Sequence, residues 1–433
     1  MKKWTSVFII LFLAGCRGEK NETYFTPEMA STYFRNIEEI CKNDDGRLWG
    51  ENLYAPIMFV DRRSRQIVAN QPDKHSLLRE RDGVFTGSYP RELIINNIAV
   101  DFGGELFALS PLPATEDEYR INTRAIHSLF HRFQKKIGVE PVIYNTRHID
   151  EKEARIWVKL EWKALRRALL SEGSDQEQAI RDALIFRGAR RELYSKYAGE
   201  ENKFESYEGP ATFTYIHLVT RSKEEFNDRL LEYLDRIYSF QSYSRSYGFV
   251  TGAMYTRLLY LAGFDLKTLT ADSCDLGFRV KDVYDVQLPE ICRDVAGSLA
   301  LNYDLDAIYR EEETRLNEIR ERIHRQVSVF TEKPVVFLGL ESPSFDFEPE
   351  DIRFLDTLGT LYNAIRVSDN WGKLTVDKGG CLISTNYKNL RITAKGIKER
   401  KAHFYGEGWH LILNNGWTLD EIEENYVVRR LMP

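Results

Sequence analysis

Ala125-Ile126-His127-Ser128-Leu129-Phe130-His131-Arg132-Phe133-Gln134 is the stretch of this 433-residue sequence on which its reading turns. Ile126, Leu129, Phe130, Phe133 and Ile137 recur at the spacing of one face of an α-helix, which predicts a helix from Thr115 to Lys136. On that helix His127 and His131 stand four residues apart, one above the other, at the edge of the apolar face. Two imidazoles so placed can reach one tetrahedral metal ion. The spacing alone is weak evidence, because a chain with eight histidines also meets it by chance. The plain alternative is a pair of helix-edge histidines satisfied by their neighbours.

Working outward, the pattern changes on both sides of this helix. Pro27 to Lys42 has helical spacing at Met29, Tyr33, Ile37 and Ile40. Leu53 to Val60, Gln66 to Ala69 and Leu93 to Val100 are β-rich runs broken by Asp, Asn, Gly and Pro, and Gly103-Gly104 turns the chain into a strand at Glu105 to Leu109. After the histidine helix, helices are predicted over Asp150 to Ser171 and over Asp175 to Tyr197, with Asp150 and Ser174 as N-caps. Further helices are predicted near 222–241, 246–263 and 303–328. Ser246 to Gly263 is apolar and rich in small residues, but Arg257 interrupts it, which favours a core helix over a membrane span. Beyond Lys333-Pro334 the runs Val335 to Leu340, Lys373 to Val376, Cys381 to Ser384, Leu390 to Ala394 and Trp409 to Leu413 predict a small β domain. Its Trp371, Trp409 and Trp417 read as core residues rather than a ligand cage.

Composition narrows the classes of function. With 43% hydrophobic and 29% charged residues the chain is neither disordered nor low-complexity. A net charge of −6 offers no basic field, so no nucleic-acid partner is expected. No phosphate-binding loop, G-x-S-x-G elbow or G-x-G-x-x-G turn is present. The first residues, MKKWTSVFIILFLAGC, place two lysines before an apolar run too short to span a bilayer, then Leu13-Ala14-Gly15-Cys16. They resemble a bacterial lipoprotein signal. That resemblance implies a signal peptide over 1–15, fatty acids such as palmitate on Cys16, a charged tether over 16–26 and a membrane anchor at the cell envelope. Arg17, where an aspartate would suggest inner-membrane retention, points to the outer membrane or cell surface. Cys41, Cys274, Cys292 and Cys381 remain; they allow three disulfide connectivities, and buried free thiols are the equal alternative.

Taken in order, the β section, the H-x-x-x-H helix, the long helices and a downstream glutamate resemble the zincin metallopeptidases of the gluzincin type. More closely, they resemble a bacterial family of peptidase-like proteins with a motif of the form H-E-S-F-H-R-x-Q. The matching stretches are His127 to Gln134, Arg155 to Leu165, Glu205-Ser206-Tyr207-Glu208-Gly209 and Asp369 to Val376. The resemblance implies an α+β fold: a zincin-like domain over 27–330, β first and then mainly helical, followed by a β-rich domain over 334–433. It also implies zinc held by His127, His131 and Glu208 with a fourth position open, and a peptide or protein in the cleft.

Ser128 departs from that pattern. An active enzyme of the family carries there the glutamate that serves as general base, and a serine hydroxyl is no base near neutral pH. Losing a positioned base typically costs about 10²–10⁴ in rate. Thr212 stands where the family tends to carry a second acidic residue. Glu161 and Glu205 are the candidate substitutes, although Glu161, between Leu160 and Trp162, also suits a buried ion pair with Arg166 or Arg187. Glu208 has its own bland reading, an ordinary helix-start glutamate before Gly209-Pro210. Arg124 lies on the histidine side of its helix, where it would disfavour a dication or bind a substrate carboxylate. Three functions follow: a lipid-anchored pseudo-peptidase that binds peptide or protein, an active zinc hydrolase with a displaced carboxylate, and a structural envelope lipoprotein.

Overall fold

The computed structural model describes residues 25–112, 117–141, 143–269, 274–332, 334–347, 352–355, 358–401 and 403–431. The expected signal peptide, the lipid-bearing Cys16, the tether up to residue 24 and Thr115 lie outside the described residues. Helices and strands occupy separate stretches of chain, which makes the class α+β, as expected. Two compact units divide the protein, 1–312 and 313–433. The division falls inside the helix Leu305–Thr331 rather than at Lys333-Pro334. The reason lies in its last turns, where Val327 and Phe330 pack on Leu355, Leu361 and Leu382 of the second unit.

The first unit opens with α1 (Pro27–Asp44), capped by the Thr26 hydroxyl, which accepts from the Met29 N–H at 3.2 Å. Six strands follow: β1 (Ile57–Val60), β2 (Gln66–Ala69), β3 (Arg79–Arg81), β4 (Val84–Ser88), β5 (Ile98–Phe102) and β6 (Glu105–Pro111). They form one sheet in the order β3-β4-β2-β1-β6-β5, antiparallel except between β1 and β6. Strand alternation divides its side chains between two clusters. Ile57, Phe59, Val68 and Ala108 join the main core, while Met58, Val60, Ile67 and Leu109 meet Leu78 and Tyr89 on the other side. The run expected from Leu93 is strand only from Ile98, and Ile94 is exposed.

The helical part is α2 (Glu118–Lys136), α3 (Lys152–Leu170), α4 (Gly173–Leu193), α5 (Ala198–Val219), α6 (Lys223–Tyr238), α7 (Tyr247–Leu261), α8 (Leu276–Val283) and α9 (Arg293–Ala300). Two expected caps are corrected. Ser174 lies within the first turn of α4, whose N-cap is Glu172. Asp150 instead accepts from the Tyr243 N–H and the Ser242 hydroxyl, both at 2.6 Å, and so anchors the segment leading into α7. The largest correction is α5, which covers a stretch where the sequence reading offered at most a helix start at Glu208, before Gly209-Pro210. The helix continues through both residues, so Glu208 lies in mid-helix and not at a helix start.

A close helix crossing accounts for Gly209. A Cβ on Gly209 would lie 2.5 Å from the Gly252 carbonyl carbon, and one on Gly252 would lie 2.5 Å from the Glu205 carbonyl oxygen. Only glycine lets α5 and α7 approach this far. Gly252→Ala is therefore expected to destabilise the protein by about 1–3 kcal/mol, the usual cost of overpacking, read as a lower urea midpoint. An unchanged midpoint would show that the crossing yields freely.

α7 is buried on nearly every side, and its Arg257 guanidinium lies 4.1 Å from the centre of the Phe226 ring. Among the described residues no helix is long and apolar enough to cross a membrane. Cys41, Cys274, Cys292 and Cys381 are free thiols, and burial pushes the Cys41 thiol up to about 12, with Asp44 adding to it.

In the second unit two sheets share one core. One runs in the order Trp417–Ile422, Asn425–Arg430, Val335–Gly339, Asn389–Thr393, Cys381–Ile383, Thr360–Tyr362, Ile352–Phe354. The other runs Lys398–Arg400, His403–Gly406, Trp409–Leu413, Gly372–Val376, Ile365–Asp369, Ser344–Asp346. Val336, Leu338, Leu390 and Ile392 of the first sheet meet Val367, Leu374 and Leu411 of the second. Trp371 and Trp409 are buried there, their indole N–H groups donating to Gly339 O at 2.8 Å and Thr393 O at 2.7 Å. Trp417 packs at the edge of the same core.

Candidate metal centre

Asp117 caps α2, accepting from the Tyr119 N–H at 3.1 Å, and the buried Ile126, Leu129, Phe130 and Phe133 fix the rotation of the helix. That rotation brings His127 and His131 against α5. Their Nε2 atoms are 2.8 Å apart, and each is 3.3 Å from Oε2 of Glu208. One ligand atom from each of the three residues lies within 4.8 Å of the others. The three residues singled out in the sequence as a ligand set are thus brought together.

A neighbouring amide fixes which ring nitrogen of His131 faces the centre. The Gln134 Nε2 group donates to Tyr207 O at 3.0 Å, so its Oε1 is the atom 2.7 Å from Nδ1 of His131. That nitrogen then carries a proton, so in the neutral ring, the form that binds a metal, Nε2 presents the lone pair to the centre. The Tyr207 ring stacks on the His131 ring at 4.6 Å. Burial, reinforced by His131, lowers the His127 pKa and favours its neutral form, the one that binds metals. Burial raises the pKa of Glu208, but the two imidazoles outweigh it and hold the carboxyl at about 2.

Zinc fits these residues on the evidence of their own chemistry. Oε2 of Glu208 is a buried acceptor without a hydrogen-bond partner of good geometry, and the two imidazole Nε2 atoms face it at 3.3 Å each. Two neutral imidazoles and a carboxylate are the His₂Glu set of open zinc sites. Gln134 went unassigned in the sequence, although its place three residues after His131 was the available signal. Gln134→Leu is expected to weaken zinc binding roughly 10–100-fold in a chelator competition. Undiminished affinity would mean that the amide does not orient the ligand.

An ionic cluster sets the register of α5. Glu201, Glu205 and Glu208 fall on one face of that helix. Glu205 receives both terminal nitrogens of Arg187, at 2.9 and 2.6 Å, and Glu201 receives Arg190 at 3.0 Å, Arg191 at 2.9 Å and His148 Nε2 at 2.8 Å. All three arginines lie on α4. With Glu201 and Glu205 fastened there, the third carboxylate, Glu208, is left to face α2.

The remaining candidates are placed as follows. Ser128 is fully buried, and its hydroxyl donates to Arg124 O at 3.2 Å, within its own helix. Glu161 is held by Arg190, by Arg187 at 3.4 Å and by the Tyr255 hydroxyl at 2.7 Å. Arg166, its other expected partner, pairs with Asp235 instead. Glu161 and Glu205 thus belong to the cluster rather than to the histidines. A cleft of about 480 Å³ opens beside His127, and Arg124 and Thr212 also line it.

Fold and site together define an α+β protein with a buried His₂Glu set at the edge of an open cleft. Compared with family models, with curated proteins and with solved structures, the chain matches none.

Proposed function

We propose that this protein is a lipid-anchored, zinc-binding relative of the gluzincin peptidases that binds peptide or protein in its cleft and is impaired in hydrolysis. The observation that carries the reading is the convergence of His127, His131 and Glu208 while the Ser128 hydroxyl is turned into its own helix. His127, His131 and Glu208 would hold the metal. Bound there, zinc would supply a Lewis acid able to polarise a carbonyl oxygen. Ser128 supplies no base to accompany it. The carboxylates of Glu161 and Glu205, the two candidate substitutes, are each taken up by arginines. The anchor is the lipid on Cys16, and the lipoprotein-like start of the sequence supports it.

The test is elemental mass spectrometry of the purified full-length chain in detergent, beside His127→Ala, followed by incubation with a broad peptide library. About one zinc per chain, lost in the variant, with peptide bound and not cut, is the expected result. Absence of zinc after incubation with it would sink the metal centre. Chelator-sensitive cleavage would favour the second reading, an active hydrolase, for which the complete ligand set speaks.

A further inference from the structure

The cleft beside His127 is strongly cationic in a protein whose net charge is −6. Arg120, Arg124, Arg229 and Arg236 line it, against two carboxylates, Asp117 and Glu232. Three of these arginines are occupied. Arg120 pairs with Asp117 at 3.3 Å, Arg229 pairs with Glu232 at 3.3 Å, and Arg236 lies 4.8 Å from the centre of the Tyr233 ring. Among the described residues Arg124 has no carboxylate or ring to answer its charge. The charges felt most at Arg124 are those of other arginines, Arg62 and Arg120.

Arg124 also holds a particular place. It precedes His127 by three residues on α2, so the two side chains are neighbours on one helix face, and both line the cleft. A carboxylate in the cleft would accept from the Arg124 guanidinium, whose charge no carboxylate of the protein answers among the described residues.

We infer that the cleft recognises a carboxylate of its peptide ligand, gripped by the Arg124 guanidinium beside the metal centre. The inference rests on the peptide-binding reading proposed above and names the class of ligand that reading would take. Arginine suits the task because its planar fork presents two parallel donors to one carboxylate. The aromatic rings of Tyr215 and Phe249, also in the cleft, offer apolar surface for the flanking part of a peptide. The carboxylate is that of an acidic side chain or of a peptide C-terminus, and the two share the same chemistry.

The experiment compares three fluorescent tetrapeptides on the zinc-loaded full-length chain: an alanine peptide with a free C-terminus, the same peptide amidated, and an amidated one with an internal aspartate. At least one carboxylate peptide is expected to bind about tenfold tighter than the neutral amide, and whichever does identifies the source. In Arg124→Gln that preference falls below about twofold, with zinc content and neutral-peptide affinity unchanged. Arg124→Lys restores part of it. Equal binding of all three peptides by the native chain would overturn the inference and leave the peptide-binding reading standing. Survival of the preference in Arg124→Gln would assign the carboxylate to the zinc and overturn it as well. A chain that takes up zinc and binds no peptide would overturn both.

Discussion

Glu208→Gln is expected to reduce bound zinc from about one per chain to a trace while leaving the protein folded. The substitution keeps the shape of the side chain and removes its charge, so two neutral imidazoles would have to hold a dication with an amide oxygen. The loss should exceed the roughly 10–100-fold expected of Gln134→Leu, because a ligand and not its support is removed. Without metal the same change also removes the attraction between the carboxylate and the two imidazoles 3.3 Å from it, so some loss of stability is expected beside the loss of zinc. Zinc content and circular dichroism measured side by side separate the two effects. Full zinc in Glu208→Gln would move the third ligand elsewhere.

Arg190→Met is expected to be the most destabilising single change in the first unit. Arg190 is completely buried between Glu161 and Glu201, and burial of its charge is outweighed by those carboxylates, which raise its pKa well above the usual value. Methionine fills much of the volume but leaves both carboxylates short of a partner. Removing one member of a buried ion pair typically costs about 3–5 kcal/mol, a large part of the ~5–15 kcal/mol that holds a domain together. Urea unfolding near pH 7 is the measurement, and a loss under about 1 kcal/mol would count against the cluster as a determinant of stability.

Acid should reproduce part of this effect in the native protein. Burial opposes the Glu201 charge, yet Arg190, the His148 hydrogen bond and Arg191 hold its pKa well below the usual value. A carboxyl with a depressed folded pKa contributes stability above its unfolded pKa of about 4.3, and that stability is lost as pH falls toward the folded value. The urea midpoint should therefore decline below about pH 4.3. The penalty of Arg190→Met should shrink over the same range, because the stranded carboxylates take up protons.

Much of the first unit was legible because local pattern and final environment agree. α2 carries its apolar residues on one stripe, and its two histidines point where helical spacing sends them. β2 and α7 are bounded by polar or turn-forming residues and lie close to where the sequence put them. Glu208 was legible as a ligand only through resemblance, and its setting was not. Gly209-Pro210 reads locally as a break, and only the approach of α7 explains why a helix passes through it. The ionic cluster was hidden for a related reason. Glu161 was expected to pair with Arg166 or Arg187; it does meet Arg187 at 3.4 Å, but its other partners, Arg190 and Tyr255, lie 29 and 94 residues away, beyond any helical spacing. In the second unit the strand Lys398–Arg400 is fully exposed and shows no alternation, so nothing in its sequence announces a strand.

The free thiols have a consequence of a different kind. Cys41 and Cys381 are buried in separate cores, and the sulfur of Cys292 sits against Gly188, where a Cβ would lie 2.4 Å from it. Such thiols behave as small hydrophobes, and a thiol held up to about 12, like that of Cys41, offers almost no thiolate to an oxidant. These three buried thiols are therefore poor targets for oxidation, and among the described residues no crosslink ties the chain, so the fold they form does not depend on a disulfide.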